Sequence, residues 1–583
     1  MRPVQLEVFF FAALLGGCDR TVCGPGTSSK DGVCVADDPG TDTGAAADTA
    51  SVSEEESDAV PLDRDNDGYD EDEDCNDFDD KTHPGAEEIC DGLDNNCDGS
   101  TDEDAVDAVV RFTDTDGDGF GNDATMRTTC EPLDDEIAEG GDCDDADVNV
   151  HPDAAEECDE VDRDCDGQPY VEGSAAFVHA DGRIDDLTAV FAAGSLSSVV
   201  SHSVADDGSL NLCGGTFYTS LNLSAQSARV WAPGGPETTT LNAGSGSAVT
   251  IQEAYAEVEL EGFTIQAGQH AVDGSAVLNG SITIRNSHIE ATGNSGLAWA
   301  SIWTASDLSV HDSVIRGGGA PRGIWVGGDL IMVDSELSGH SRVESTLLSS
   351  EHLGGGGYVS GDARIDDSLI EDNTVVASSY NGLYTGTTLK GGGLAVYGNL
   401  TMHRSTVKNN HISAHAYGSA TVVNGAGVWS SGDVTLVDSW VEDNTAEAVL
   451  DCAYSYCYVY AQGAGVHAGW YYGGDVFIQG STIRGNSFTT TLNTSSFSEL
   501  DVHSVFGGGV YASGTVDCVE GGVIEENEAL SGGGVYYYGD TLVSNGCSWG
   551  TGTTDNEGGD IRGSASGDYD SAATFRCEDG TCG

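Results

Sequence analysis

Five late segments of this 583-residue chain end on an asparagine at the same point of a repeated phrase: Asn373, Asn410, Asn444, Asn486 and Asn527. Five residues before the first four stands a serine (Ser368, Ser405, Ser439, Ser481), with Gly522 in the fifth. Three before each asparagine is Ile370, Val407, Val441, Ile483 or Ile524, and eight before is Ile365, Met402, Leu436, Ile478 or Val519. Small-residue turns then lead to Leu394, Val428, Val466, Val510 and Val535, and weaker copies surround Ser287, Ser313 and Ser335. Short apolar alternation cut by glycine is a strand signal. A period of 22–42 residues makes it a solenoid, in which each coil buries itself only against its neighbours. The fold class predicted is all-β: a right-handed parallel β-helix solenoid over 173–583, preceded by small irregular repeats stabilised by disulfides and calcium.

One column tests the stacking. Two residues before each asparagine, and at matching earlier positions, the chain reads Glu290, Arg316, Ser338, Glu371, Lys408, Glu442, Arg484, Glu525. Side chains stacked on adjacent parallel strands lie about 4.8 Å apart, where opposite signs attract. Cys518 and Cys547 are 29 residues apart, as are Asn527 and Asn556, so they are expected at equivalent places on adjacent coils and bonded. Leu210 to Tyr218, followed by Leu221 to Leu223, reads as the first full coil, with Ile184 to Phe191 as an amphipathic helical cap over its open end. This part resembles pectin-lyase-like β-helices. The Gly-Gly-Gly-Val and Asn spacing resembles the repeats of polymorphic outer-membrane proteins, which implies a surface adhesin. Four insertions, 374–390, 411–424, 445–462 and 487–506, leave the same point of successive coils and are expected to crowd one side.

Ahead of the solenoid an acidic phrase occurs twice. From Cys75 the steps are 8 to His83, 15 to Cys90 and 22 to Cys97; from Cys143 they are the same to His151, Cys158 and Cys165. In the first copy oxygen donors fall at loop positions 1, 3, 5, 7, 9 and 12: Asp63, Asp65, Asp67, the Tyr69 carbonyl, Glu71 and Asp74, with Gly68 at 6. That is the spacing of an EF-hand-type calcium loop without evident flanking helices. The second copy offers Asp114, Asp116, Asp118 and Phe120, but Thr125 at position 12, so Asp142 must close it from outside the loop. Shorter loops follow at Asp94, Asn96, Asp98 (supplemented by Asp102) and at Asp162, Asp164, Asp166. These blocks resemble MopE-type metal-binding repeats, whose namesake binds copper through histidines and a tryptophan-derived ligand. Residues 61–172 hold no tryptophan, and hard carboxylate oxygens favour Ca²⁺ over copper. His83 and His151 precede prolines and read as turn residues.

A net charge of −78, with 21 basic residues against 99 acidic ones, excludes a nucleic-acid role driven by phosphate neutralisation. Arg2, a short apolar run and Leu15-Gly16-Gly17-Cys18 read as a secretory signal. They resemble a bacterial lipobox, which implies lipidation of Cys18 as the membrane anchor. The remaining cysteines are then even in number, as expected of disulfides in an exported chain. Cys23 with Cys34, Cys452 with Cys457 and Cys577 with Cys582 are close enough to close small loops. The organisation expected is a signal (1–17), an anchor and small loop (18–34), an unfolded tether (35–62), the acidic duplicate (63–172) and the β-helix (173–583).

Asp366, Asp367, His403 and Arg404 would stack on an outward face and suit general acid–base cleavage of a polysaccharide, but the same positions open turns, where aspartate bonds its own backbone at little cost. The leading functional expectation is an outer-membrane or cell-surface lipoprotein, a calcium-binding stalk presenting a β-helix for non-enzymatic binding to carbohydrate or a surface protein. A polysaccharide-degrading enzyme is the alternative, and metal scavenging the third reading.

Overall fold

The computed structural model describes residues 27–30, 33–36 and 62–582, less short internal stretches of which 192–198, 293–299, 380–385, 495–503 and 564–573 are the longest. The expected signal, the lipidated Cys18, the Cys23–Cys34 closure and the tether lie outside the described residues, apart from the antiparallel pair Thr27–Lys30 and Val33–Ala36. So do the side chains of Cys452, Cys457, Cys577 and Cys582, although the backbone sets Cys577 opposite Cys582. Two compact units are formed, Met1–Asp107 and Ala108–Gly583, so the division falls between the two acidic copies.

Most of the second unit is a parallel β-helix. Sheets of 16, 13 and 11 strands run through its coils, each strand pairing with its counterpart one coil on. The apolar column of the repeat is one register line: Leu337, Ile370, Val407, Val441, Ile483 and Ile524. All six are fully buried. A second line runs Met332, Ile365, Met402, Leu436, Ile478 and Cys518; Val519, expected in this column, pairs with Gln479 instead, one place out of register. Each large aliphatic side chain in such a line contributes about 1.5–3 kcal/mol of burial. The charged column is also in register from Glu290 to Glu525. Lys408 meets Glu371 at 3.0 Å and Arg484 meets Glu442 at 3.8 Å.

The polar half of the repeat does the bending. Between the 16- and 11-stranded sheets the chain turns on one left-handed residue per coil, Asp312, Asp334, Asp367, Arg404 or Asp438, at φ 49–50°. The serine that follows is buried, and its hydroxyl accepts the backbone N–H of the previous coil's serine, as Ser405 does from Ser368 at 3.1 Å. The asparagines form a buried ladder. Asn373 donates through its backbone N–H and Nδ2 to Asn410 Oδ1 at 3.1 and 3.0 Å, and the pattern repeats through Asn444, Asn486, Asn527 and Asn556. Each link satisfies two buried donors that would cost about 1–3 kcal/mol apiece if orphaned.

The four insertions are built structure rather than loops. With a fifth segment one coil earlier they make two further five-stranded parallel sheets. One holds Ser341–Thr346, Thr374–Ser379, His411–Gly418, Thr445–Cys452 and Ser487–Thr494. The other holds Ser350–Leu353, Gly386–Lys390, Ala420–Asn424, Tyr458–Gln462 and Ser504–Phe506. Val375, Ile412, Leu389, Val423 and Leu450 give this fin a core of its own.

At the N-terminal end the expected amphipathic helix is corrected. Ile184–Asp186 is a strand antiparallel to Ser174–His179, and only Thr188–Phe191 is helical, its first turn capped by Asp186 Oδ1 on the Thr188 N–H at 2.8 Å. Ser174–His179 in turn pairs antiparallel with Gly208–Cys213. The edge of the first coil carries unpaired backbone groups, and a hairpin satisfies them where a helix would not. Cys158 and Cys213 are bonded, and Asn211 Nδ2 donates to the Cys158 carbonyl at 2.6 Å, so the second acidic copy is locked onto that coil. At the far end Cys518 and Cys547 are joined, but not from equivalent places: the register partner of Cys518 is Ser544. Among the described residues no helix is long and apolar enough to cross a membrane.

Candidate metal centre

Each acidic loop folds around its own carboxylates. In the first copy Asp63 accepts from the N–H groups of Asn66 and Gly68 at 2.6 and 3.2 Å, Asp65 from Asp67 at 3.3 Å and Asp67 from Tyr69 at 2.9 Å. In the second, Asp114 accepts from Gly117 and Gly119 at 2.7 and 3.3 Å, Asp116 from Asp118 at 3.2 Å and Asp118 from Phe120 at 2.8 Å. Asp63 and Asp114 spend both oxygens on the loop, whereas the other four aspartates spend one each. The second oxygen of those four, Oδ2 of Asp65, Asp67, Asp116 and Asp118, is buried without a hydrogen-bond partner.

Asp74 and Asp142 close the two sites. Asp74 is 8 % exposed and Asp142 4 %; Oδ1 of each accepts an N–H two residues on, at 2.8 and 2.9 Å, and Oδ2 of each is unpartnered. Burial first, then the charges of Asp67, Asp74 and Asp63, hold the Asp65 carboxyl above its ordinary range. Asp116 and Asp142 are raised for the same reasons, burial leading and the charges of Asp118 and Asp145 among the neighbours. Thr125, the departure at position 12, is spent locally: its Oγ1 accepts the Thr113 N–H at 2.8 Å. Glu71, the ninth-position candidate, is ion-paired with Arg64 at 2.5 Å.

The shorter loops repeat the plan. Asp94 Oδ2 accepts from Gly99 at 2.9 Å and Asn96 Oδ1 from Asp98 at 2.9 Å; Asp162 Oδ2 accepts from Gly167 at 2.9 Å and Asp164 Oδ1 from Asp166 at 3.2 Å. Asp102 Oδ1 accepts the N–H groups of Asp91 and Gly92, whereas Glu103 is bonded to Asn96 Nδ2 at 3.0 Å with Oε2 unpartnered. In the second copy Glu156 gathers with Asp162 and Asp164, their oxygens within 4.8 Å of one another. Glu156 Oε2 and Asp162 Oδ1 are unpartnered there. Glu103, Glu156 and its counterpart Glu88 were not read as site residues, though Glu88 and Glu156 recur two positions before a cysteine in both copies.

Asp77 and Asp145 were also missed. Asp77 takes the Arg64 N–H and guanidinium at 3.2 and 2.6 Å; Asp145 takes the Thr115 N–H and hydroxyl at 2.9 and 2.7 Å. Each fixes the second residue of its loop from a distance. His83 stacks on Tyr69 with centroids 5.2 Å apart, and His151 on Phe120 at 5.3 Å, so both histidines brace the aromatic at loop position 7. The disulfides Cys75–Cys97 and Cys143–Cys165 staple the copies identically. With their sulfurs bonded, Cys75 and Cys97 are no ligands beside Asp74.

Carboxylates crowded against one another, three in each main loop site with a buried unpartnered oxygen, fit a hard cation that accepts six to eight oxygens. Residues 74–103 and 142–169 match the copper-binding MopE family, described as a "putative metal-binding motif". Two segments of this chain carry the MopE-type motif. Each MopE-type segment opens on the closing carboxylate, Asp74 or Asp142, so the aspartate loops at 63–69 and 114–120 precede the matched residues. No curated protein and no solved structure matches the chain.

The candidates for acid–base work on the β-helix are spent on one another. Asp366 meets Arg364 at 2.7 Å and His403 at 3.3 Å, and Arg404 chelates Asp367 through Nε and Nη2 at 2.7 and 2.5 Å. That guanidinium holds the Asp367 carboxyl below its ordinary range. Asp367 and Arg404 both occupy the left-handed bend. The group ties successive coils together.

Proposed function

We propose that the chain is an exported calcium-binding display protein, anchored through lipidated Cys18, whose acidic repeats hold Ca²⁺ and whose β-helix presents a surface for non-enzymatic binding to carbohydrate or protein. One observation carries the calcium reading. The same inward carboxylate oxygens are left without partners at matching places in two copies, and every donor in those sets is oxygen. Calcium suits such sets; copper prefers nitrogen and sulfur. Disulfides support an oxidising, exported setting.

Calorimetric titration of the full chain tests it. The expected result is at least two calcium sites with dissociation constants of about a millimolar or tighter, the range of extracellular modules. Absence of calcium heat together with tight copper binding would replace this reading with metal scavenging. For the display reading, turnover of an acidic polysaccharide that is lost in Asp367→Asn would instead make the protein an enzyme.

A further inference from the structure

The outward-facing column of the 13-stranded sheet changes character along the stack. Thr250 and Asp273 are followed in register by Trp303, Trp325 and Tyr358, one per coil. Further on the same face carries Trp429, His467, Tyr511 and Tyr536. The rings form a continuous stripe: Trp303 to Trp325 5.8 Å, Trp325 to Tyr358 5.5 Å, Tyr358 to Tyr397 5.7 Å and Tyr397 to Trp429 5.0 Å between centroids.

Its downstream half is explained by the fin. Lys390, Asn424, Gln462 and Phe506 are one register column there. Lys390 Nζ lies 4.3 Å from the Trp429 ring centre, Gln462 Oε1 is 3.3 Å from His467 Nε2, and Phe506 stacks on Tyr536 at 4.2 Å. Trp429 is accordingly 1 % exposed and His467 3 %. The upstream half has no such explanation. The first fin strands, Ser341–Thr346 and Ser350–Leu353, belong to the coil of Tyr358, so Trp325 and Trp303 stand one and two coils ahead of it and remain half-buried.

We infer that Trp303, Trp325 and Tyr358 are the floor of a binding shelf for a neutral glycan chain, walled on one side by the fin. This rests on the display reading above and assigns it a place. Carbohydrate is bound where aromatic surface meets a few placed polar groups, because a pyranose offers C–H bonds to the ring and hydroxyls to its surroundings. Two polar groups are at hand: Asp273 one coil before Trp303, and the exposed Glu351 held by Lys390 at 2.5 Å. Charge selects among ligands. A chain of net charge −78 repels polyanionic glycans and a second copy of itself, which favours a neutral chain as the occupant.

The test uses the full chain in calcium, with cellohexaose, chitohexaose and laminarihexaose as probes, followed by calorimetry and tryptophan fluorescence. At least one hexaose is expected to bind, and Trp303→Ala with Trp325→Ala to weaken it at least tenfold, roughly 1.4 kcal/mol, at unchanged far-ultraviolet dichroism. Trp440→Ala, an exposed tryptophan on another sheet, is expected to leave binding intact. Should the double variant lose its fold, saturation transfer between the bound hexaose and indole protons of the unaltered protein decides instead. Absence of binding by all three probes, or equal binding by the double variant, overturns the shelf. Attachment to cells that survives both substitutions overturns the shelf while sparing the display reading; loss of attachment without sugar binding assigns the stripe to a protein partner.

Discussion

The two acidic repeats share one spacing, one loop geometry and one staple, yet they belong to different bodies. The first copy closes on itself within Met1–Asp107, through Cys75–Cys97 and through Glu88, which accepts from Asn96 and Asp102 at 2.6 and 3.1 Å. The second copy is built into the β-helix. Its Cys158, 2 % exposed, is bonded to Cys213 of the first coil and packs with Ala176 beneath Tyr170 and Ile184. A duplicated binding motif has thus become, in one copy, part of the solenoid's end cap. Terminal coils need such protection because their edges carry unpaired backbone groups.

Removing that bond is the strongest way to break the comparison. It joins residues 55 apart, so Cys158→Ser with Cys213→Ser is expected to cost the β-helix about 4 kcal/mol. Cys75→Ser with Cys97→Ser should leave its unfolding midpoint in denaturant unmoved. Equal loss in both pairs would mean that the copies are equivalent after all.

Cation removal comes next. At calcium a hundred times its dissociation constant, one occupied site adds about 2.7 kcal/mol to the unit that holds it. Asp142→Asn should therefore erase much of the calcium-induced rise in β-helix melting temperature, and Asp74→Asn should not. A calcium effect on the β-helix that persists in Asp142→Asn would separate the cap from the metal.

A finer difference lies in the short loops. Glu103 serves the first copy, whereas the matching position in the second is Val171 and Glu156 turns inward instead. Glu103→Gln is expected to weaken one calcium site about tenfold, and Glu156→Gln a different one, each read as a separate step in calorimetry. If both changes alter the same step, the short loops are not independent sites.

The smallest effect is on pH. Burial and neighbouring charge raise the carboxyls of Asp65, Asp116 and Asp142 from 3.8. A folded state that holds its protons more tightly is stabilised below the unfolded value, and that contribution is lost as pH rises through the raised folded values. Without calcium, stability should then fall slightly as pH rises above 3.8 through the raised folded values, and calcium should remove the slope. An apo stability that rises through this window would refute the crowding of charge in these loops.

The chain's own alphabet carried much of this. Identical residues at one phase of a repeat become columns once coils stack, so the serine and asparagine ladders and the Glu290-to-Glu525 column were legible from spacing alone. The aspartate loops were legible because their donors are consecutive in sequence. Asp77, Asp145 and Glu156 were not, since each meets its loop 7–30 residues away, a distance that only folding closes. The fin was hidden for a related reason. Its strands are short, and their alternation gains meaning only against the same strand one coil away.

What the sequence determined by itself, then, is the coil: its period, its buried columns and the carboxylate spacing of the loops that precede it. Local pattern suffices there because each choice is repeated, and repetition sets the register. Tertiary structure alone decided which cysteine reaches which, that the insertions fold into a second core, and that the aromatic stripe is covered at one end and open at the other. Those outcomes depend on surfaces meeting across many coils, and no single coil encodes them.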